Sequence, residues 1–257
     1  MPIVPLASFA GSSIDHLVSL GRACETAYNL RRHYGFATAY PFDWWISTTE
    51  GAARFIRDGD AEALYRQEDL SVSADGDAVG NARYGIRLQH EFPRDRRLEG
   101  RPVVADWADH LEAPRKRTAH LARRFFGLAA TARNIVFVRA IAPRDTNGAA
   151  VAALLEALDM RFTAARVAVV LVNYRGQVPA AHPVHRLSVA RPAGADWRGD
   201  SGAWDAALAT LGLRMTPGLH KPATAADLSA HVAARSGLDA EDPGPAFEGA
   251  SPAAKMS

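Results

Sequence analysis

The sequence is sparing with the residues that would declare a function at once. It holds one cysteine in 257 residues. That excludes a disulfide within the chain and a zinc site built on cysteine pairs. It has no GxGxxG and no GxxxxGK[ST] run, so no glycine-rich phosphate cradle is expected. Acidic and basic residues nearly cancel, 28 Asp and Glu against 30 Lys and Arg, so bulk charge gives no push toward nucleic acid. No apolar run approaches the roughly 18 residues that a membrane-spanning helix needs. The first residues, Met1-Pro2-Ile3-Val4-Pro5-Leu6, carry neither a basic lead nor a long apolar stretch, so no signal peptide is expected. There is no internal repeat, and no His and carboxylate spacing reads as a metal site. These absences predict a cytoplasmic chain with no cofactor, no metal, no membrane span and no nucleic-acid partner. They leave the oligomeric state open.

What is present is ordinary for a globular protein: 48% hydrophobic and 23% charged residues, enough for a sizeable core. The apolar spacing predicts an α/β fold with a mixed or parallel sheet flanked by helices. Residues 15–20 read as a strand ending at Gly21, and 22–33 as a helix with Ala23, Ala27 and Leu30 on one face, stopped at Gly35. A second helix is expected near Ser47, where Ser47 and Glu50 fit a capping box. Residues 70–80 are polar and rich in Gly and Asp, hence loop. Residues 82–92 alternate, which would put His90 on the side of Ile86 and Leu88. A long helix is expected over 106–130, open to a break at Pro114. Continuous apolar strands over 134–141 and 166–173, with a helix over 147–159 between them, argue for a parallel sheet covered on both faces. A weaker strand follows over 185–190. The expected division is one α/β domain over 1–220 and a tail over 221–257, helical in part near 224–235 and otherwise flexible.

The chemistry centres on Cys24. A lone cysteine is most often a small buried hydrophobe. Cys24, however, falls in the first turn of a helix, where unpaired N–H groups and the helix dipole favour a thiolate. Gly21 lets backbone approach a substrate, and the amides around Gly21, Ala23 and Cys24 could hold an oxyanion. Glu25 weighs against a thiolate, and the neighbouring Arg22 charge weighs the other way. A catalytic thiol needs a base. Of nine histidines, His90 alone ends an alternating strand, where sites on such sheets gather; its plainer reading is a structural, hydrogen-bonded histidine. A third group would fix the imidazole. Asp43 stands among Phe42, Trp44 and Trp45, a cluster that is either a site wall or simply core; Glu91, Asp106 and Asp109 are the other candidates.

At these residues the sequence resembles a family. Ser19-Leu20-Gly21-x-x-Cys24, then Leu30-Arg31-Arg32, then Tyr40-Pro41-Phe42-Asp43-Trp44, resemble the signature of a bacterial family described as putative papain-like cysteine peptidases, once a domain of unknown function. Gln89-His90-Glu91-Phe92 and Phe137-Val138-Arg139 are similar to two further, weaker motifs of that family. The resemblance extends over about residues 17–171. It implies Cys24 as nucleophile, His90 as base and Asp43 as candidate orienter, acting on a peptide or a small acyl or amide substrate. Arg22-Ala23-Cys24-Glu25 stands where papain itself carries C-G-[SA]-C-[WY], so an α/β site rather than a papain barrel is expected. Two other readings remain. One is a non-catalytic glycan- or protein-binding module with a structural cysteine. The other is a nucleotide-sugar enzyme on a Rossmann-like sheet.

Overall fold

The computed structural model describes residues 3–142 and 146–224. In chain order its elements are β1 (Ser13–Ile14), β2 (His16–Ser19), α1 (Cys24–Tyr34), β3 (Ile46–Ser47), α2 (Thr49–Asp58), β4 (Leu70–Val72), β5 (Val79–Asn81), β6 (Ile86–Leu88), α3 (Glu112–Thr131), β7 (Asn134–Ala140), α4 (Gly148–Arg161), β8 (Arg166–Val172), β9 (Val184–Leu187), α5 (Ser201–Ala209) and β10 (Arg214–Met215). The protein is α/β, with sheets of both kinds. Strands β2-β7-β8-β9 form a parallel sheet, β3-β6-β5-β4 an antiparallel one, and β1 pairs with β10. Beyond Thr224, the expected helix over 224–235 and the flexible stretch after it lie outside the described residues.

The parallel sheet exists because β7 and β8 are apolar on both faces. Ile135 and Phe137 of β7, with Val167, Val169 and Leu171 of β8, pack into a core completed by α2, α3 and α4. Val136 and Val138, with Ala168 and Val170, pack into a second core completed by Leu30 of α1 and Trp204 and Leu208 of α5. Strand order follows chain order from one edge to the other. Among the described strands there is therefore no reversal of order, the feature at which Rossmann-like sheets take a nucleotide.

Several local expectations change. Residues 70–80 are not simply loop: β4 and β5 pair there in antiparallel register, Leu70 opposite Asn81 and Val72 opposite Val79. The strand expected over 82–92 is only Ile86–Leu88. The α2 helix starts one residue later than the capping box predicts, and Thr48 caps it by accepting from Gly51 N–H at 3.0 Å. Ser47 belongs to β3 instead. Pro114 does not break α3; it is the third residue of that helix, where a missing N–H costs nothing. Gly35 and Gly59 end α1 and α2 in left-handed conformation, as their sequence positions predict. Residues 221–223 pair with 35–37 through Ala37 N–H to the Lys221 carbonyl and Ala223 N–H to the Gly35 carbonyl.

Candidate functional site

The turn between β2 and α1 is strained. Gly21 has φ +77° and Arg22, a residue with a side chain, has φ +81°. Ala23 returns to extended backbone at φ −153°, and α1 begins at Cys24. Two successive left-handed residues, one of them not glycine, persist only where the surroundings fix them. Here the fixing contacts are specific. Leu20 N–H donates to the Val138 carbonyl at 2.8 Å, and Gly21 N–H to Ser19 Oγ at 3.1 Å. Ser47 N–H donates to the Arg22 carbonyl at 3.2 Å. Glycine is required at position 21 for a second reason: a Cβ there would lie 2.9 Å from the Phe42 carbonyl oxygen.

Cys24 thus occupies the first residue of α1, with its side chain fully buried. No side chain caps the helix start, since Ala23 offers no acceptor. The first-turn N–H groups keep their positive end directed at the turn. Glu25, the nearest carboxylate in sequence, is occupied elsewhere. It forms an ion pair with Arg191 and accepts from Trp204 Nε1 at 3.0 Å.

Asp43 is buried beside this turn, but its partners are not histidines. One oxygen, Oδ2, takes the guanidinium of Arg31 and the N–H of Tyr40, the latter at 2.8 Å. The other, Oδ1, is buried and makes no hydrogen bond. Burial pushes the Asp43 carboxyl up, and Arg31 pulls it back down. Asp43 therefore closes the single helical turn Pro41–Asp43 against α1 and does not hydrogen-bond His90. Phe42 and Trp45 are core residues, edge-on to each other and to Phe55. Trp44 is half-buried at the margin.

His90 follows β6 in a turn, half-buried, so strand periodicity does not set its direction. Its neighbour Glu91 turns inward and accepts from Trp45 Nε1 and from the Tyr65 hydroxyl, both at 3.2 Å. Burial raises the Glu91 carboxyl, and nearby Arg117 opposes that rise. β6 is antiparallel to β3, with Ile46 opposite Arg87 and Ser47 opposite Ile86. The segment entering β3 and the segment leaving β6 therefore share one end of that pair, as the Trp45–Glu91 bond confirms. Asp106 is exposed and faces His110 at 3.7 Å, and Asp109 is exposed.

Two arginines matter more than their sequence context suggests. Arg31 reads as a cation in the last turn of a helix, yet it is buried against Asp43. Arg139 interrupts the otherwise apolar run Ile135 to Ile141 and is 1% exposed. A charge inside a continuous apolar strand is the signal that could have marked it.

The folded arrangement is a strand, a strained turn and a helix that begins on a thiol. Residues 15–85 match the family model described as "putative papain-like cysteine peptidase". The match takes in Gly21, Ala23, Cys24, Asp43 and the aromatic cluster around it, and ends before His90 and Arg139. No curated protein and no solved structure matches the chain. Among the described residues no helix is long and apolar enough to cross a membrane, and no group of three His, Cys, Asp or Glu residues could hold a metal ion.

Proposed function

We propose that this chain is a cysteine-dependent hydrolase of the peptidase or acyl-transfer type, built on an α/β unit over residues 1–220 and working in a reducing cytoplasm. Cys24 is the nucleophile and His90 the base. His90 takes the thiol proton, and the thiolate adds to the carbonyl carbon of a peptide or a small acyl or amide substrate. Backbone N–H groups from Gly21 to Cys24 receive the oxyanion. Collapse breaks the carbon–nitrogen bond, and the amine leaves with the proton from His90. Water then releases the acid and restores the thiol. Asp43 serves this site by holding the Pro41–Asp43 turn through Arg31. Phe42 and Trp45 back that turn, and Trp44 lines the margin.

The observation that carries this reading is the left-handed pair Gly21–Arg22 immediately before Cys24. Backbone strain of this kind gathers at functional sites. The family match over the same residues supports it. The complete enclosure of Cys24 favours a second reading, an inert structural thiol in a binding module.

Iodoacetamide alkylation against pH separates the two. The hydrolase reading expects a rate midpoint well below the ordinary thiol value of about 8.5, moving back toward it in His90→Ala. An ordinary midpoint, or labelling only after unfolding, overturns it.

A further inference from the structure

The motif Phe137-Val138-Arg139 has no part in the chemistry above, yet its arginine is the most fully buried cation of the described residues. A guanidinium stays charged at any working pH and is costly to bury, so its contacts should state its purpose. Nη1 donates to the Leu20 carbonyl at 2.6 Å and to Ser47 Oγ at 2.8 Å. Nη2 donates to the Ser47 carbonyl at 2.7 Å and reaches Thr49 Oγ1 at 3.5 Å. These acceptors belong to two places: the residue that opens the strained turn, and the junction of β3 with α2.

We infer that Arg139 is a positioning residue for the reaction at Cys24, acting through the backbone of the Leu20–Arg22 turn. The inference rests on the hydrolase reading above. Leu20 is held from both sides, its N–H on the Val138 carbonyl and its carbonyl on the Arg139 fork. Arg22 is held through its carbonyl by Ser47 N–H, and Ser47 is itself held twice by Arg139. One planar cation therefore fixes both ends of the left-handed pair, directly at Leu20 and through Ser47 at Arg22. It also joins the edge strand of the parallel sheet to the edge strand of the antiparallel one. Loss of the fork frees the turn to relax toward ordinary φ values, and the first-turn N–H groups then shift away from the thiol.

Geometry distinguishes this role from plain charge. A lysine keeps the positive charge but offers a compact ammonium that cannot serve the Leu20 carbonyl and both Ser47 oxygens in one plane. Two variants of the full chain, Arg139→Lys and Ser47→Ala, test it. The thiolate of the single cysteine is titrated by its ultraviolet absorbance against Cys24→Ser as blank, a readout that needs no solvent access to the sulfur. Circular dichroism confirms folding.

The expected result is a depressed midpoint in the wild type. In folded Arg139→Lys it rises by about one unit, with alkylation near neutral pH slowed on the order of tenfold. Ser47→Ala, which deletes one acceptor of the fork, shifts the midpoint the same way by less, and it decides the matter if Arg139→Lys does not fold. A depressed wild-type midpoint that neither folded variant moves overturns the role of Arg139 and leaves the hydrolase reading standing. An ordinary wild-type midpoint overturns both.

Discussion

The parallel sheet and the region around the Gly21–Cys24 turn are held by different forces. In the sheet, Phe137, Val169 and their neighbours are buried hydrocarbon packed against Leu154 and the rest of the α4 face, and the backbone needs little beyond its ladder. Around the turn, short strands supply few ladder bonds, and buried charged groups hold the pieces together. Arg139 holds Leu20 and Ser47, Arg31 holds Asp43, and Glu91 holds Trp45 and Tyr65. Apolar contacts tolerate small slips, because they are non-directional. Fork-shaped and charge-assisted hydrogen bonds do not. A region that fixes an unfavourable backbone conformation needs the second kind. The sheet is thus expected to set stability, and the polar contacts both stability and the geometry at Cys24.

The sharpest way to break that contrast is at Asp43. Asp43→Ala leaves Arg31 buried without its carboxylate, a change expected to cost about 3–5 kcal/mol in urea unfolding. The double variant Arg31→Met with Asp43→Leu should recover most of it, because paired apolar groups replace a paired charge. A double variant no more stable than Asp43→Ala would show that the pair is not what the carboxylate is buried for. The counterpart in the core under the parallel sheet is Leu154→Ala in α4, expected to cost about 2–5 kcal/mol through the cavity it leaves. It should not move the thiolate midpoint of Cys24. A shift there would mean that the two regions are not mechanically separate.

A smaller effect is expected at Gly21. Gly21→Ala forces a Cβ against the Phe42 carbonyl and a left-handed φ on alanine, at roughly 1–3 kcal/mol. Its stability loss should be modest beside that of Leu154→Ala. Its effect on the thiolate midpoint and alkylation rate should be the larger of the two. Equal thiol behaviour in the two variants would deny the turn any special hold on Cys24.

The same contrast explains what could be read from the chain. β7, β8 and α4 were legible because burial on both sheet faces writes itself as unbroken apolar runs such as Ile135-Val136-Phe137-Val138. A helix carrying Cys24 in its first turn is legible from Gly21 and the apolar stretch before it, but its start is not: it is expected at Arg22, and the left-handed Arg22 and extended Ala23 delay it to Cys24. The polar contacts were not. Ser47 looked like a helix cap, because Ser with Glu three residues on satisfies the capping pattern. Its hydroxyl goes instead to Arg139, 92 residues away, and Thr48 takes the cap. Asp43 looked like a partner for a histidine, but the nearer claim came from Arg31, one helix away. The β4–β5 hairpin was hidden because Ser71, Gly80 and Asn81 lack strand propensity and only one side is buried. Long-range polar pairing leaves no period in the sequence, and this site is assembled from such pairs.

The smallest effect concerns the far end of β2, where His16 sits opposite the end that leads to Cys24. His16 Nδ1 shares a hydrogen bond with the Tyr40 hydroxyl at 2.8 Å, and its ring lies edge-on to His220 at 5.0 Å. His220 bridges Thr38 Oγ1 at 2.7 Å and the Asp15 carbonyl at 2.6 Å. Burial, helped by His220 and opposed by Asp15, pushes His16 down to about 4. A folded-state value below the unfolded one means that the unfolded chain binds the proton more readily. Stability is then complete above the ordinary histidine value and falls as pH drops from there toward 4. Between pH 7 and pH 5 the loss from this group should be about 1 kcal/mol once discounted for solvent screening. His16→Gln should remove that part of the pH dependence, read as a flatter unfolding midpoint over the same range. Because His16 opens β2 and Cys24 lies beyond its other end, across the Gly21–Arg22 turn, the substitution should leave the thiolate titration where it was. A matching change in both would mean that β2 transmits protonation along its length and that the turn is less firmly held than its contacts require.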